Sequence, residues 1–213
     1  MLTIYLIRHG ETDWNKGAVY QGHTDIPLGV LGRKQAVAVA RRLAGERLDA
    51  VYASDLGRAR ETALAVAKAQ NLRTEVICDR RLREIDVGLC AGKTRAESEA
   101  AFPEVFRAMR ADPAGTCMPG GESFADLCDR VRQAVQEIAE SRPGGKVALV
   151  SHGGTIRAIL CLALGLPLTG RARLAVDNCS LSVISYAKGI WQAALVNDTC
   201  HLEGLDMTDS VEV

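Results

Sequence analysis

Val147-Ala148-Leu149-Val150 offers no polar side chain on either of its alternating faces. Such a strand is stable only where both faces are covered, as in a parallel sheet between two layers of helices. Leu2–Ile7 is a second apolar run with β-branched residues, and Ala50–Ala53 a shorter third. Segments of helical period separate them. Ala36, Val37, Ala40 and Leu43 keep that spacing within 33–44. Leu56, Ala59, Ala63 and Val66 keep it after Ser54 and Asp55, either of which can cap the helix. Ser123-Phe124-Ala125-Asp126 has the pattern of a capping box, followed by the stripe Phe124, Leu127, Val131, Val135 and Ile138. Thr74–Cys78 reads as a strand, and Thr155–Leu164 as a helix closed by Gly165 and Pro167. Ser180–Tyr186 and Ile190–Val196 read as strands joined by a hairpin at Lys188-Gly189. This order predicts a three-layer α/β/α sandwich with a mostly parallel central sheet. Residues 89–121 break the rhythm with Pro103, Pro113 and Pro119, and are expected to form a small helical cap insertion. The acidic tail after Leu202 is expected to fray.

With 213 residues and roughly 150 per domain, the expectation is one domain over 1–213 that carries its cap within it. Lys and Arg total 26 and Asp and Glu total 26, so no basic surplus points to nucleic acid. No apolar run approaches the roughly 18 residues of a membrane span. The N-terminus is apolar from Leu2 with no base before it, which reads as a buried strand and not as a signal peptide. Cysteines number 7, an odd count with no CxxC spacing, and are read as reduced thiols. Together these place the protein in the cytoplasm. Its oligomeric state is open, with a homodimer compatible.

Three junctions carry polar residues straight after apolar strands. They are Arg8-His9-Gly10-Glu11-Thr12, then Ser54-Asp55-Leu56-Gly57-Arg58, then Ser151-His152-Gly153-Gly154. In open α/β sheets the carboxyl ends of strands line the ligand crevice. A strand-end histidine alone is ordinary polar packing. Three junctions that deliver His9, His152, Arg8 and Arg58 make a cationic cup with imidazoles inside, suited to a dianion such as a phosphoryl group.

The same blocks resemble the histidine phosphatase superfamily, the phosphoglycerate-mutase-like proteins. The resemblance starts at Leu6-Ile7-Arg8-His9-Gly10-Glu11-Thr12 with Trp14-Asn15, and continues at Gln21-Gly22-His23-Thr24-Asp25-Ile26-Pro27-Leu28. It recurs at Ser54–Ala63, Leu82–Gly88, Pro119–Ser123 and Ser151–Gly154, in order over nearly the whole chain. An RHG tripeptide alone is weak; ordered, spaced blocks are strong.

The resemblance implies a phosphohistidine on His9, with Arg8, Arg58 and His152 around the equatorial oxygens and Asn15 as a neutral donor. It makes Glu84 the general acid and then the base for water. The helix that starts after Gly153 adds an anion-binding N-terminus, so the site asks for no metal and no cofactor. Gln21 and Thr12 either touch phosphate or brace their loop. His23 is expected near the entrance, and His201 to brace the C-terminal strand. Arg60, Arg83, Arg95, Arg107 and Arg110 are expected at the surface, the last three in reach of a second anionic group. Many phosphatases of the family carry Gly, a hydrophobic residue, Trp, Glu and Gly after the acid. Here the run is Gly88-Leu89-Cys90-Ala91-Gly92, so that aromatic wall is missing. The implied activity is hydrolysis of a small-molecule phosphomonoester, the α-ribazole phosphatase type included. A cofactor-dependent phosphoglycerate mutase and a non-catalytic binding module are the alternatives. Dedicated mutases resemble one another in a longer insertion after the acid and a Gly-Trp pair where this chain has Gly22-His23.

Overall fold

In the computed structural model, which describes residues 1–70 and 75–205, the strand at Leu2–Arg8 (β1) lies inside the sheet and is apolar on both sides. The other strands are β2 (Ala50–Ala53), β3 (Ile77–Cys78), β4 (Lys146–Ser151), β5 (Leu181–Ala187) and β6 (Ile190–Asp198). Their order is β3-β2-β4-β1-β5-β6. β3, β2, β4 and β1 run parallel. β5 pairs antiparallel with β1 and β6 with β5, and the hairpin turns at Lys188 and Gly189, both at positive φ. The sheet is therefore mostly parallel, as the apolar runs imply.

Seven α-helices in the described residues surround it. They are α1 (Asp13–Lys16), α2 (Val30–Arg42), α3 (Gly57–Ala69), α4 (Arg95–Ala101), α5 (Pro103–Ala111), α6 (Phe124–Ser141) and α7 (Gly153–Leu164). Leu2, Ile4 and Leu6 of β1 and Val147 and Leu149 of β4 join the core beneath α6 and α7. Tyr5, Ile7, Ala148 and Val150 point the other way, into the core beneath α2 and α3. Strict alternation thus divides each strand between two cores, and each fully buried Leu or Ile contributes about 1.5–3 kcal/mol. The expected α6 stripe is buried throughout, from Phe124 to Ile138. Its Ser123–Asp126 capping box forms in full.

Two expectations change. Neither Ser54 nor Asp55 caps α3: the cap position is Leu56, with no side-chain cap bond. Asp25 does the work from another loop, accepting from Gly57 N–H at 2.7 Å. Asp55 is committed instead to Arg83 at 2.6 Å. The strand expected over Thr74–Cys78 contracts to Ile77–Cys78, an exposed edge pairing with β2 alone, and Thr74 lies outside the described residues. Residues 89–121 hold two helices, α4 and α5, separated at Phe102. Pro103 disfavours helical backbone in the residue before it. Val87, Cys90, Phe106 and Met118 give this segment a small core of its own. Among the described residues no helix is long and apolar enough to cross a membrane. The tail after Leu202 lies mostly in 206–213, outside the described residues.

The register fixes where function can sit. Arg8 lies opposite Ser151, and Ala53 opposite Val150. The three junctions of the sequence therefore leave the sheet side by side at one edge.

Candidate active site

At those carboxyl ends a cavity of about 500 Å³ is bordered by Arg8, His9, Asn15, Gln21, Arg58 and Glu84, among others. His9 follows β1 directly, and its N–H donates to Ser151 O at 2.9 Å. The next residue must be small. A Cβ on Gly10 would run into the backbone of Gly32 in α2, which is how the chain turns away and leaves His9 at the mouth of the sheet. His9 Nδ1 lies 2.7 Å from Gly10 O. A carbonyl only accepts, so Nδ1 carries the proton and Nε2 keeps its lone pair. Burial, then Arg58 and Arg8, hold the imidazole well below its ordinary pKa.

His152 caps α7 and is fully buried. Its ring stands edge-on to His9 with centroids 5.1 Å apart, and neither nitrogen has a partner among the described residues. Burial, then Arg58, His9 and Arg8, push it well below its ordinary pKa as well. The cup therefore presents two uncharged imidazoles beside two guanidiniums.

Both arginines are anchored by carbonyls, which leaves their charge unspent. Arg58 is 1% exposed. It donates Nη1 to Thr24 O at 2.8 Å and Nη2 to Gly22 O at 2.9 Å. Burial pushes it down to about 10, so it stays charged at neutral pH. Arg8 donates Nη1 to Val176 O at 2.8 Å, and burial lowers it too. The buried Nε of each has no partner among the described residues.

Asn15 is fixed by α1. Its Oδ1 accepts from Thr12 N–H at 3.1 Å and from Asn178 Nδ2 at 3.2 Å, so its own amide is left to donate. Thr12, read as touching phosphate or bracing, braces: it is the α1 cap and does not border the cavity. Gln21 does border it, with a buried Oε1 that has no partner among the described residues.

Glu84 faces the cavity from the loop after Leu82. Its carboxylate accepts from Ile85 N–H at 2.8 Å and from Gly154 N–H at 3.1 Å. Any Cβ at position 154 would overlap Glu84 Oε1. Gly154 borders the cavity, whereas Gly153, expected at the phosphate, is buried behind it against Arg8 and Arg157. The reason is helical: successive residues of the first turn face different ways.

The loop that carries Glu84 is tied down by residues the sequence reading missed. Arg130 of α6 donates to Arg81 O at 2.7 Å, Arg83 O at 2.8 Å and Glu84 O at 2.8 Å, and pairs with Glu122. Ser151 Oγ donates to Leu82 O and Thr155 Oγ1 to Arg83 O, both at 2.7 Å. His23, expected at the entrance, lies with Nε2 2.9 Å from Glu84 O. Nothing local in the sequence marks the contacts to the backbone of residues 81–84, because each of them spans tens of residues. His201, expected to brace the C-terminal strand, instead meets the segment that leads into β5, with Nε2 2.9 Å from Cys179 O. Of the three arginines expected near a second anion, only Arg95 borders the cavity. Arg107 is paired with Glu104, and Arg110 with Glu99 at 2.6 Å, both at the surface. The aromatic groups at the cavity are Tyr20 and Phe124, not residues of the Gly88–Gly92 run. One group of possible metal ligands among the described residues, Asp198, Cys200 and His201, lies outside the cavity.

Comparison with known proteins supplies relatives. Residues 4–199 match the family described as histidine phosphatase superfamily (branch 1). A probable phosphoglycerate mutase GpmB of Yersinia enterocolitica is 39% identical, covering 95% of this chain and 96% of its own. Phosphoserine phosphatase 1 of Hydrogenobacter thermophilus is 38% identical over 95% of both chains. A solved mycobacterial glucosyl-3-phosphoglycerate phosphatase superposes with TM-score 0.83 at 35% identity, covering 92% of this chain and 99% of its own.

Proposed function

The chain belongs to the histidine phosphatase superfamily, branch 1, and from that premise we propose that it hydrolyses small phosphomonoesters through a phosphohistidine on His9. The observation that carries this reading is the His9 ring, whose Nδ1 is held at Gly10 O at 2.7 Å while burial and two guanidiniums keep it uncharged. Nε2 is thus a free nucleophile at neutral pH. It attacks phosphorus in line with the ester oxygen; the N–P bond forms as the P–O bond breaks. Arg8, Arg58, His152 and the Asn15 amide take up the charge of the transferring phosphoryl group. Glu84 gives its proton to the leaving oxygen. The same carboxylate then takes a proton from water as that water attacks phosphorus. The P–N bond breaks, inorganic phosphate leaves, and His9 is restored. Each of these tasks falls to a side chain or a backbone N–H, so the scheme calls for no metal and no cofactor.

Residues 1–213 act here as one phosphatase domain, with 89–121 as a cap over the substrate's carbon portion. The thiols, none of them bridged, favour a reducing, cytoplasmic setting. The α-ribazole phosphatase type remains one substrate class for this site. A second reading, phosphoglycerate mutase, is favoured by the 39% identity to a protein of that name. Two experiments separate the readings. Acid-quenched labelling should be avoided, because phosphohistidine is acid-labile; alkaline quench of wild type should leave phosphate on His9, and His9→Ala should abolish turnover with melting unchanged. Label on another residue overturns the mechanism. Incubation with 3-phosphoglycerate and catalytic 2,3-bisphosphoglycerate should release phosphate; isomerisation much faster than release, at rates matching the best monoester hydrolysis, establishes the mutase instead.

A further inference from the structure

We propose that Asp198, Cys200 and His201 form a site for one zinc-type divalent ion, which clips the end of β6 to the segment leading into β5. The three residues lie outside the cavity, and the proposal is independent of the hydrolase reading.

The ligands come from one short stretch. Asp198 closes β6, opposite Leu181 of β5, and Cys200 and His201 begin the single 3-10 turn Cys200–Leu202. Their donor atoms all lie within 4.8 Å of one another. The two oxygens of Asp198 are differently engaged. Oδ1 accepts from Cys200 N–H at 3.1 Å, while Oδ2 lies 3.4 Å from Cys200 Sγ. A tetrahedral zinc ion holds sulfur at about 2.3 Å and a carboxylate oxygen at about 2.0 Å, which sets those two ligands about 3.5 Å apart. Sulfur and oxygen therefore already stand at ligand spacing. The cation that faces them is Arg42, with Nη2 3.9 Å from Oδ2; its side chain is 43% exposed, so water screens it.

His201 supplies a second, independent observation. Its Nε2 lies 2.9 Å from Cys179 O. A carbonyl only accepts, so Nε2 carries the proton and Nδ1 keeps its lone pair. That Nδ1 is buried and has no partner among the described residues. A buried acceptor left without a donor is costly. A metal-ligating histidine has this same arrangement, with one ring nitrogen donating to a backbone carbonyl and the other on the ion. The imidazole needs only a small swing to join the sulfur and the oxygen. Cys200 is exposed, which gives the ion a path in and leaves its fourth position to water. A thiolate, an imidazole and a carboxylate suit zinc; magnesium and calcium take oxygen ligands. Binding forms the S–Zn bond and releases the thiol proton to water. Thiolate and carboxylate together then balance the two charges of the ion. The clip also has something to hold. Cys179 N–H donates to Arg8 O at 3.0 Å and to His9 O at 3.3 Å, so fixing the ring on Cys179 O stiffens the segment that backs the Arg8–His9 junction.

The test uses the untagged full chain, kept reduced and stripped with EDTA. Cobalt(II) should give a thiolate charge-transfer band in the near ultraviolet that saturates at one ion per chain. Zinc should displace it, and millimolar magnesium should not. Cys200→Ser should abolish the band and weaken zinc binding by at least about tenfold. Asp198→Asn and His201→Gln should each weaken it as well. Replacing Cys78 and Cys117 by Ser, the other exposed thiols, should leave band and affinity unchanged. Zinc should raise the melting temperature of wild type by a few degrees and leave that of Cys200→Ser where it was. Cys200 is at the surface, so this comparison holds even if His201→Gln folds poorly. No cobalt band in wild type, or a band indifferent to Cys200→Ser, overturns the site. A band lost with Cys200→Ser but untouched by both Asp198→Asn and His201→Gln reports a lone thiolate and overturns it too.

Discussion

Gly154→Ala separates catalysis from stability. The substituted Cβ would overlap Glu84 Oε1 and come within 3.5 Å of Leu127 Cδ2. Leu127 is fixed in the core, so the carboxylate gives way. Glu84 would also lose its 3.1 Å bond from Gly154 N–H. The backbone has no objection: residue 154 lies in the first turn of α7 without a positive φ. Ala is favoured over Gly in a helix by up to about 1 kcal/mol, which offsets part of the contact strain. The melting temperature should therefore move by only a few degrees. Activity should fall far more. A catalytic group misplaced by about 1 Å costs on the order of a hundredfold, and a general acid supplies about a hundredfold to ten-thousandfold. The assay is kcat/KM on an alkyl phosphate and on an aryl phosphate with a good leaving group, beside thermal unfolding. The alkyl substrate should suffer more, since its oxygen needs the proton. Activity on the alkyl phosphate within about twofold of wild type, with folding intact, would refute the placement of Glu84 against α7 as a catalytic requirement.

Glu84→Gln should show the same asymmetry between alkyl and aryl phosphates, measured as the ratio of their kcat/KM values; equal losses count against Glu84 as the acid. Activity should survive dialysis against EDTA, and loss that zinc or magnesium restores would contradict a cup built from side chains. The pH dependence of stability follows from His9 and His152, whose folded pKa values lie well below the ordinary 6.5. The unfolded chain binds protons that the folded one refuses, so stability is present above about 6.5 and is lost as pH falls below it. Each histidine contributes a slope of up to about 1.4 kcal/mol per pH unit there. Unfolding in urea between pH 7.5 and 5.5 measures it, and His152→Asn should remove about half of the two-histidine slope; an unchanged slope would mean that His152 titrates freely.

What the sequence determined is local and periodic. A strand without a polar face, such as Val147–Val150, can only be buried on both sides, and the alternation in β1 follows from the two-residue repeat. The capping box at Ser123 and Asp126 and the stripe of α6 are likewise written in short spacings. Arg8-His9-Gly10 and Ser151-His152-Gly153-Gly154 were legible because each sits directly after an apolar strand, and parallel pairing brings such ends together. Tertiary structure alone decided the rest. Asp25, not its neighbours Ser54 or Asp55, supplies the bond at the start of α3, because the loop that carries it folds back across Arg58. Arg130 holds the backbone of Glu84 from 46 residues away. Gly154, and not Gly153, meets the Glu84 carboxylate. Arg157 and Arg171 read in sequence as two of twenty ordinary arginines, and only packing sets Arg157 beside Arg8 and Arg171 over Phe124. A side chain's partner across the chain depends on where whole elements dock, and no spacing within a single element encodes that.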